Sequence, residues 1–192
     1  MTEALAALRP AEPRHPLPPR QGRPKGLNLL GTFAHHPALA RAYHVLTGQV
    51  LFATTLSERQ RELVVLRVAA LRRADYEWRQ HALLAADAGI GADELAAVAE
   101  GPDAPTWSAP EAAMLRAVDE LVERATLSGA TWSALVAAFS TEQLMDLVFT
   151  VGTYDLLAMA IGAFGVDLDE DLATQVPASP FAARDPDKEG AS

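Results

Sequence analysis

At 192 residues the chain is long enough for one well-buried domain, and its 49% apolar content, rich in alanine and leucine with only 6% aromatics, favours helices. The net charge of −9, without a stripe of lysine and arginine, argues against a nucleic-acid partner. The absence of cysteine excludes disulfides, thiolate metal sites and any thiol peroxidase mechanism run by this chain alone.

Residues 1–26 contain six of the thirteen prolines, and the run Arg9–Arg20 can form neither a helix nor a central strand. We therefore predict a proline-rich N-terminal arm over 1–26, either disordered or wrapped around a neighbouring subunit. Met1–Pro10 has no apolar core behind a basic start, and the uncharged apolar stretch Leu156–Val166 is too short to span a bilayer. The expectation is a cytoplasmic protein with no membrane partner.

The chain becomes apolar from Leu27, and Pro37 fits the first turn of a helix that should run to about Phe52. His36 is expected to cap that helix or to lie at the surface. His44 is expected at the helix surface. A metal role for the histidines before Pro37 would need a third ligand, which the sequence does not supply.

The stretch from Ser57 to Gly89 reads as two helices. Ser57 and Gln60 form a capping-box signature, and the nearly unbroken apolar run 63–71 follows. A short break at residues 72–75 separates this helix from a second one, which ends at Gly89, a residue suited to a helix C-terminus.

Four further helices are predicted beyond Gly89, over about 92–99, 109–127, 131–139 and 140–163. Ser108, Thr131 and Ser140 are their expected caps. The second half of the last helix is apolar on every side, so it should lie at the centre of a core or be covered by another subunit. The prediction is an all-α single-domain bundle of six to eight helices over 27–171, followed by a loose tail over 172–192.

Three titratable side chains occupy apolar positions in the two helices between Ser57 and Gly89. Glu62 points about 140–160° away from the polar side of its helix. Glu77 and His81 are four residues apart and share a small-residue face of the next helix. A carboxylate and an imidazole that meet in a dry pocket have the arrangement that acid–base catalysis needs, because burial moves both pKa values toward neutrality.

The glutamate nineteen positions before a histidine, together with the string D-Y-E-W-R-Q-H at 75–81, resembles the carboxymuconolactone decarboxylase superfamily, which includes alkylhydroperoxidase D-like proteins. In the peroxidase branch the histidine follows C-x-x-C, whose thiols would stand at Ala74 and Glu77. The string here resembles the cysteine-free branch that carries Y-E-W-x-x-H. The resemblance implies an all-α, alkylhydroperoxidase D-like fold that assembles as a homo-oligomer, a dimer, trimer or hexamer.

The paired carboxylate and imidazole favour a cofactor-free acid–base enzyme. The resemblance implies that it acts on a small oxygenated organic acid or lactone, by decarboxylation or by a related isomerisation, hydration or dehydration. His81 is assigned as the acid/base, Glu62 as the group that orients it or relays its proton, and Glu77 as a ligand of substrate or water. Aromatic side chains near the pocket are expected to contact the substrate, although each could equally be a core residue: Tyr76, Trp78 and Tyr154.

Three alternatives stay open. The chain could be a peroxidase or peroxiredoxin in name only, because a sulfenic acid has no thiol on which to form. It could be a non-catalytic oligomeric module that binds a small molecule, with Glu62 and His81 as a structural pair. A metal held by Glu62, Glu77 and His81 is a minor possibility, so no metal or cofactor is expected.

Overall fold

A computed structural model describes residues 2–16 and 23–181. Within these ranges the chain is all-α, with ten helices and no strand, which confirms the predicted fold class. The two helices beyond the expected six to eight are short ones near the ends of the described chain. The helices are α1 (Thr2–Ala6), α2 (Leu27–Ala34), α3 (Pro37–Gly48), α4 (Glu58–Arg72), α5 (Asp75–Asp87), α6 (Ala92–Glu100), α7 (Ala109–Arg124), α8 (Gly129–Ala138), α9 (Thr141–Phe164) and α10 (Glu170–Gln175).

Helix α4 is the centre of the bundle and packs against α5, α6, α7 and α9. Every residue from Arg61 to Ala69 is buried, so the helix is enclosed on all sides. Its apolar run explains this position, since each fully buried valine or leucine contributes about 1.5–3 kcal/mol. On the side of α4 that faces α7, the buried residue Arg67 is charged. Its Nε and one terminal nitrogen donate hydrogen bonds to the two carboxylate oxygens of Asp119.

The predicted break between α4 and α5 is confirmed. The capping box of Ser57 and Gln60 starts α4, and Arg73 ends it in the left-handed region at φ 55°. α5 then begins at Asp75 and packs back along α4. This turn brings side chains of the two helices face to face.

Helix α9 has one buried and one exposed side. Leu147, Val151 and Tyr154 are among the buried residues, whereas an apolar row on the opposite side is exposed: Met145, Val148, Phe149, Leu156 and Met159. By length and composition alone α9 is long and apolar enough to cross a bilayer, a test that core helices of water-soluble bundles also pass. The expectation that it lies in the core is therefore met on one side only.

The N-terminal segment 2–16 folds back onto its own chain. It contains the short helix α1, where only an extended arm was expected, and it lies along α3 and the π-helical turn Gln49–Ala53 that follows α3. The Nδ1 of His44 lies 2.9 Å from the Ala4 carbonyl oxygen, and His44 is buried rather than at the surface. His36 caps α3, as expected, by accepting a hydrogen bond from Leu39.

Two further boundaries differ from the expectation. α8 begins at Gly129 and is capped by Ser128 instead of Thr131, because the Ser128 hydroxyl accepts a hydrogen bond from the Thr131 backbone N–H. The start of the predicted loose tail is packed: Leu172 is fully buried in α10, and Phe181 lies on Trp78. The remaining parts of the arm and tail, 17–22 and 182–192, lie outside the described residues.

Candidate active site

A carboxylate–imidazole pair lies at the contact between α4 and α5. Nδ1 of His81 is 2.7 Å from Oε2 of Glu62. Glu62 is completely buried and His81 is 7% exposed. The structure thus brings together the two residues on which the sequence prediction depended most.

Arg61 holds the other oxygen of Glu62, a role that the sequence prediction missed. Its Nε donates to Oε1 of Glu62 at 2.8 Å, and its terminal nitrogen donates to the Leu51 carbonyl at 2.6 Å. Leu51 belongs to the π-helical turn, and such turns leave carbonyls free for donors outside the helix. The sequence contains little that predicts this role of Arg61, because an arginine next to a buried glutamate forms no distinctive sequence pattern.

The charges around Glu62 keep it ionised. Burial alone would raise the pKa of Glu62, but attraction and hydrogen bonds from His81 and Arg61 outweigh burial and hold the pKa below 4.5. An ionised carboxylate can only accept hydrogen bonds, so Nδ1 of His81 carries a proton in the imidazolium and in the neutral imidazole alike. In the neutral imidazole the opposite nitrogen, Nε2, is the one that can accept a proton from a substrate.

Tyr154 packs against the imidazole from α9. Its ring meets the His81 ring edge to face, with centroids 4.8 Å apart. Burial raises the pKa of Tyr154 well above 10.0, helped by the nearby carboxylates of Glu62 and Glu77, so its hydroxyl keeps its proton. Tyr154 thus lies beside the pair, and the contact with the substrate expected of it stays a prediction.

Glu77 lies one turn before His81 on α5 and is 2% exposed. Neither of its carboxyl oxygens has a hydrogen-bond partner among the described residues. Burial, and secondly the charge of Asp155, raise the pKa of Glu77 well above 4.5. The two glutamates therefore differ in the direction of their pKa shifts: the pKa of Glu62 is lowered and that of Glu77 is raised, so Glu77 keeps its proton to higher pH than Glu62.

The other two predicted contact residues have structural partners. The Tyr76 hydroxyl donates to Asp169 at 2.5 Å, and Trp78 packs edge to face on Phe181 at 5.2 Å. Both contacts are with the C-terminal segment rather than with the pair. Glu62, Glu77 and His81 do not form a cluster able to hold a metal, and neither does any other group of His, Asp and Glu within the described chain.

The sequence comparison finds one family model. Residues 37–120 match the model described as "Carboxymuconolactone decarboxylase family", a range from the start of α3 into α7 that contains Arg61, Glu62, Glu77 and His81. Over this part of its length the chain is similar to that family. The chain contains no cysteine, in agreement with the resemblance of its Y-E-W-x-x-H string to the cysteine-free branch. No curated protein sequence matches the chain.

Solved structures share the fold at low sequence identity. The alkylhydroperoxidase AhpD core of a peroxidase-related protein from Ralstonia eutropha JMP134 matches with TM-score 0.67 and 18% identity over 83% of this chain and 94% of that chain. A peroxidase-related protein from Silicibacter sp. TM1040 matches with TM-score 0.65 and 12% identity over 85% and 95%. The debrominase Bmp8 in complex with 2,3,4-tribromopyrrole matches with TM-score 0.65 and 16% identity over 85% and 97%. The fold is thus the alkylhydroperoxidase D-like one.

Proposed function

We propose that this protein is an enzyme that moves protons on a small oxygenated organic acid or lactone, without a redox cofactor, by decarboxylation, isomerisation or hydration. The observation that carries the proposal is the 2.7 Å contact between buried Glu62 and His81. A histidine with a fixed tautomer and a free second nitrogen is the usual protein acid–base group near neutral pH.

In this proposal each residue has one role. Nε2 of His81 is the catalytic group, which takes a proton from the substrate and returns it. Glu62 and Arg61 are positioning residues: Glu62 fixes the imidazole, and Arg61 holds Glu62 in place through Oε1. Because Glu62 stays ionised, it also stabilises the imidazolium that forms when His81 accepts a proton.

Isomerisation of α-angelica lactone tests this directly, since the reaction only moves a proton from one carbon to another and its conjugated product absorbs in the ultraviolet. Wild-type protein should accelerate it, with a rate that falls on the acid side because a protonated imidazole cannot accept a proton. His81→Ala should lower kcat by about 10²-fold or more, the usual contribution of a general acid–base group. Glu62→Gln should lower kcat mainly and leave KM near the wild-type value.

His35→Ala is the matched control, because His35 is exposed at the end of α2 and contacts neither member of the pair. It should react at the wild-type rate. Equal rates for wild type, His81→Ala and Glu62→Gln would refute the catalytic assignment and favour the non-catalytic binding module. Consumption of hydroperoxides by the purified protein would contradict the rejection of peroxidase chemistry, which depends on the missing thiols.

We further propose that the chain acts in the cytoplasm as a homo-oligomer. The exposed apolar row on α9 supports assembly, because a monomer in water rarely leaves such a row uncovered. Its spacing supports a helix partner: the small or apolar positions 145, 149, 152, 156, 159 and 163 alternate steps of four and three residues, as in a coiled-coil seam.

A further inference from the structure

The last residues of the N-terminal segment bind the connecting stretch 52–57, which leads from the π-helical turn into α4. The backbone N–H groups of Arg14 and His15 both donate to the Phe52 carbonyl, at 2.6 and 3.0 Å. The ring of His15 contacts the other end of the connecting stretch, where its Nε2 lies 2.8 Å from the Leu56 carbonyl oxygen. His15 therefore binds both ends of this stretch, one with its backbone and one with its side chain.

The hydrogen bond to Leu56 is the one that fixes the His15 ring. A carbonyl oxygen can only accept, so Nε2 of His15 is the donor. Nδ1 faces Oε1 of Glu58, but the distance of 3.7 Å is too long for a hydrogen bond. Leu56 is 1% exposed, and a carbonyl buried in this way needs a donor, which His15 supplies.

The π-helical turn offers two consecutive carbonyls to groups outside it. The turn ends at Ala53, and carbonyls in the last turn of a helix have no donor within that helix. The Leu51 carbonyl accepts from Arg61 at 2.6 Å, and the Phe52 carbonyl accepts from the N-terminal segment. Only two dihedral angles separate one peptide group from the next, so a displacement of Phe52 also displaces the Leu51 carbonyl.

Arg61 extends this series of contacts to the catalytic pair. Its Nε donates to Oε1 of Glu62 at 2.8 Å, and Oε2 of Glu62 lies 2.7 Å from Nδ1 of His81. All three side chains are buried, and a closely packed interior transmits small displacements instead of absorbing them. The position of the Leu51 carbonyl therefore affects the geometry of the pair.

Other contacts hold the connecting stretch at its middle. The backbone N–H and the hydroxyl of Thr55 both donate to Asp146 of α9 at 2.6 Å. The Leu56 N–H donates to the hydroxyl of Thr54 at 3.2 Å. These contacts remain when the side chain of His15 is removed. Loss of that side chain should therefore loosen the π-helical turn without unfolding the bundle.

We propose that His15 is a positioning residue for the Glu62–His81 pair. Its ring fixes the N-terminal segment on the π-helical turn, whose Leu51 carbonyl then stays where Arg61 can bind it. The expected effect on turnover rests on the proposed function, whereas the expected effect on Arg61 does not. The N-terminal segment is in this proposal a support of the active site of its own chain.

Two substitutions of His15 separate its hydrogen bond from the bulk of its ring. His15→Ala removes the donor to Leu56. His15→Gln keeps a donor, because the amide nitrogen of glutamine lies about as far from the backbone as Nε2 of histidine. Glu12→Ala is the control on the same segment, because the Glu12 side chain is exposed.

Hydrogen exchange of side-chain N–H groups, measured by NMR on the full chain, reports how firmly Arg61 is held. Arg67 is an internal reference, because its Nε–H binds Asp119 on another side of α4 and both arginine side chains are 8% exposed. His15→Ala should speed exchange at the Arg61 Nε–H about two- to tenfold, the change expected for one lost hydrogen bond. Exchange at Arg67 should not change.

The two other variants should keep the wild-type exchange rate at Arg61. Equal acceleration at Arg61 and Arg67 in His15→Ala would overturn the inference, because it would show a general loss of stability. An Arg61 exchange rate unchanged by His15→Ala, or raised as much by Glu12→Ala, would overturn it as well.

The isomerisation assay separates this inference from the proposed function. If the wild type is active, His15→Ala should lower kcat about two- to tenfold with KM near the wild-type value, and His15→Gln should restore most of the rate. Wild-type kcat in His15→Ala would overturn the positioning role and leave the proposed function standing. If the wild type is inactive, the proposed function fails, and exchange at Arg61 alone decides whether His15 holds the pair in place.

Discussion

Arg61 and Arg59 lie two residues apart on α4, and each binds two oxygen partners. The Arg61 side chain is 8% exposed and bound to buried Glu62 and the Leu51 carbonyl, whereas the Arg59 side chain is 32% exposed and bound to Glu94 and Glu111. Removing one member of a buried ion pair leaves the other charge uncompensated, but a solvent-exposed pair is screened. Substituting each arginine in turn therefore compares the contribution of a buried ion pair to stability with that of an exposed one.

We expect Arg61→Met to lower the free energy of unfolding by about 3–5 kcal/mol, and Arg59→Met by about 1 kcal/mol. Methionine keeps most of the side-chain volume, so the difference reports the charge and its hydrogen bonds. Urea denaturation followed by circular dichroism measures both. Equal losses for the two variants would show that Glu62 does not depend on Arg61.

Glu77 should make the stability of the protein depend on pH. Its folded-state pKa lies well above 4.5, so between 4.5 and that value the folded state keeps a proton that the unfolded state has released. The free energy of unfolding therefore falls as pH rises through this window, by at most about 1.4 kcal/mol per pH unit for one proton. Glu77→Gln should remove this fall, as denaturation at several pH values above about 5 can show. Parallel stability curves for both proteins would contradict the raised pKa of Glu77.

At the scale of elements, the N-terminal segment and α3 approach each other through Gly48. A Cβ added there would collide with the carbonyl oxygen of Leu8 and lie 2.9 Å from its carbon. Gly48→Ala should therefore displace the segment and speed tryptic cleavage after Arg14, measured by mass spectrometry. Gly31→Ala in α2 is the control, because nothing lies within 4 Å of an added Cβ there and alanine is the better helix former. Wild-type cleavage rates in Gly48→Ala would show that the segment does not dock as described.

Helix starts and the burial of Glu62 could be predicted because they depend on local spacing. Capping serines bond residues three positions on, and helical phase alone places Glu62 toward the interior. Contacts between distant segments could not be predicted in this way. The Leu51 carbonyl meets Arg61 only because a π-helical turn interrupts the helix after α3.

The same limit explains why the contact partners of two aromatic side chains could not be predicted. Tyr76 and Trp78 were expected at the substrate, but their partners Asp169 and Phe181 come from a C-terminal segment predicted to be loose. Only the folded chain shows that this segment packs on α5. Tyr154, by contrast, lies beside His81, and its expected contact with the substrate stays a prediction.

At the scale of the whole molecule, the exposed face of α9 predicts assembly. Phe149 and Met159 are 55% and 54% exposed, and light scattering at micromolar concentration should find an oligomer. The double variant Phe149→Glu, Met159→Glu should be monomeric with unchanged helix content, because a charge in an apolar seam is unpaired. Leu27→Glu, at an equally exposed apolar position outside this face, should leave the assembly intact. A monomeric wild type would refute the homo-oligomer, and its cosedimentation with lipid vesicles would assign the face to a membrane.

The protonation of the His81 imidazole tests the central claim most directly. With Glu62 ionised and 2.7 Å from Nδ1, nitrogen-15 NMR of the full chain should show the neutral form of the His81 imidazole with its proton on Nδ1 and a bare Nε2. Glu62→Gln should lose this preference. A neutral imidazole that carries its proton on Nε2 in the wild type, or a His81 signal unchanged by Glu62→Gln, would contradict the pairing on which the proposed catalysis depends.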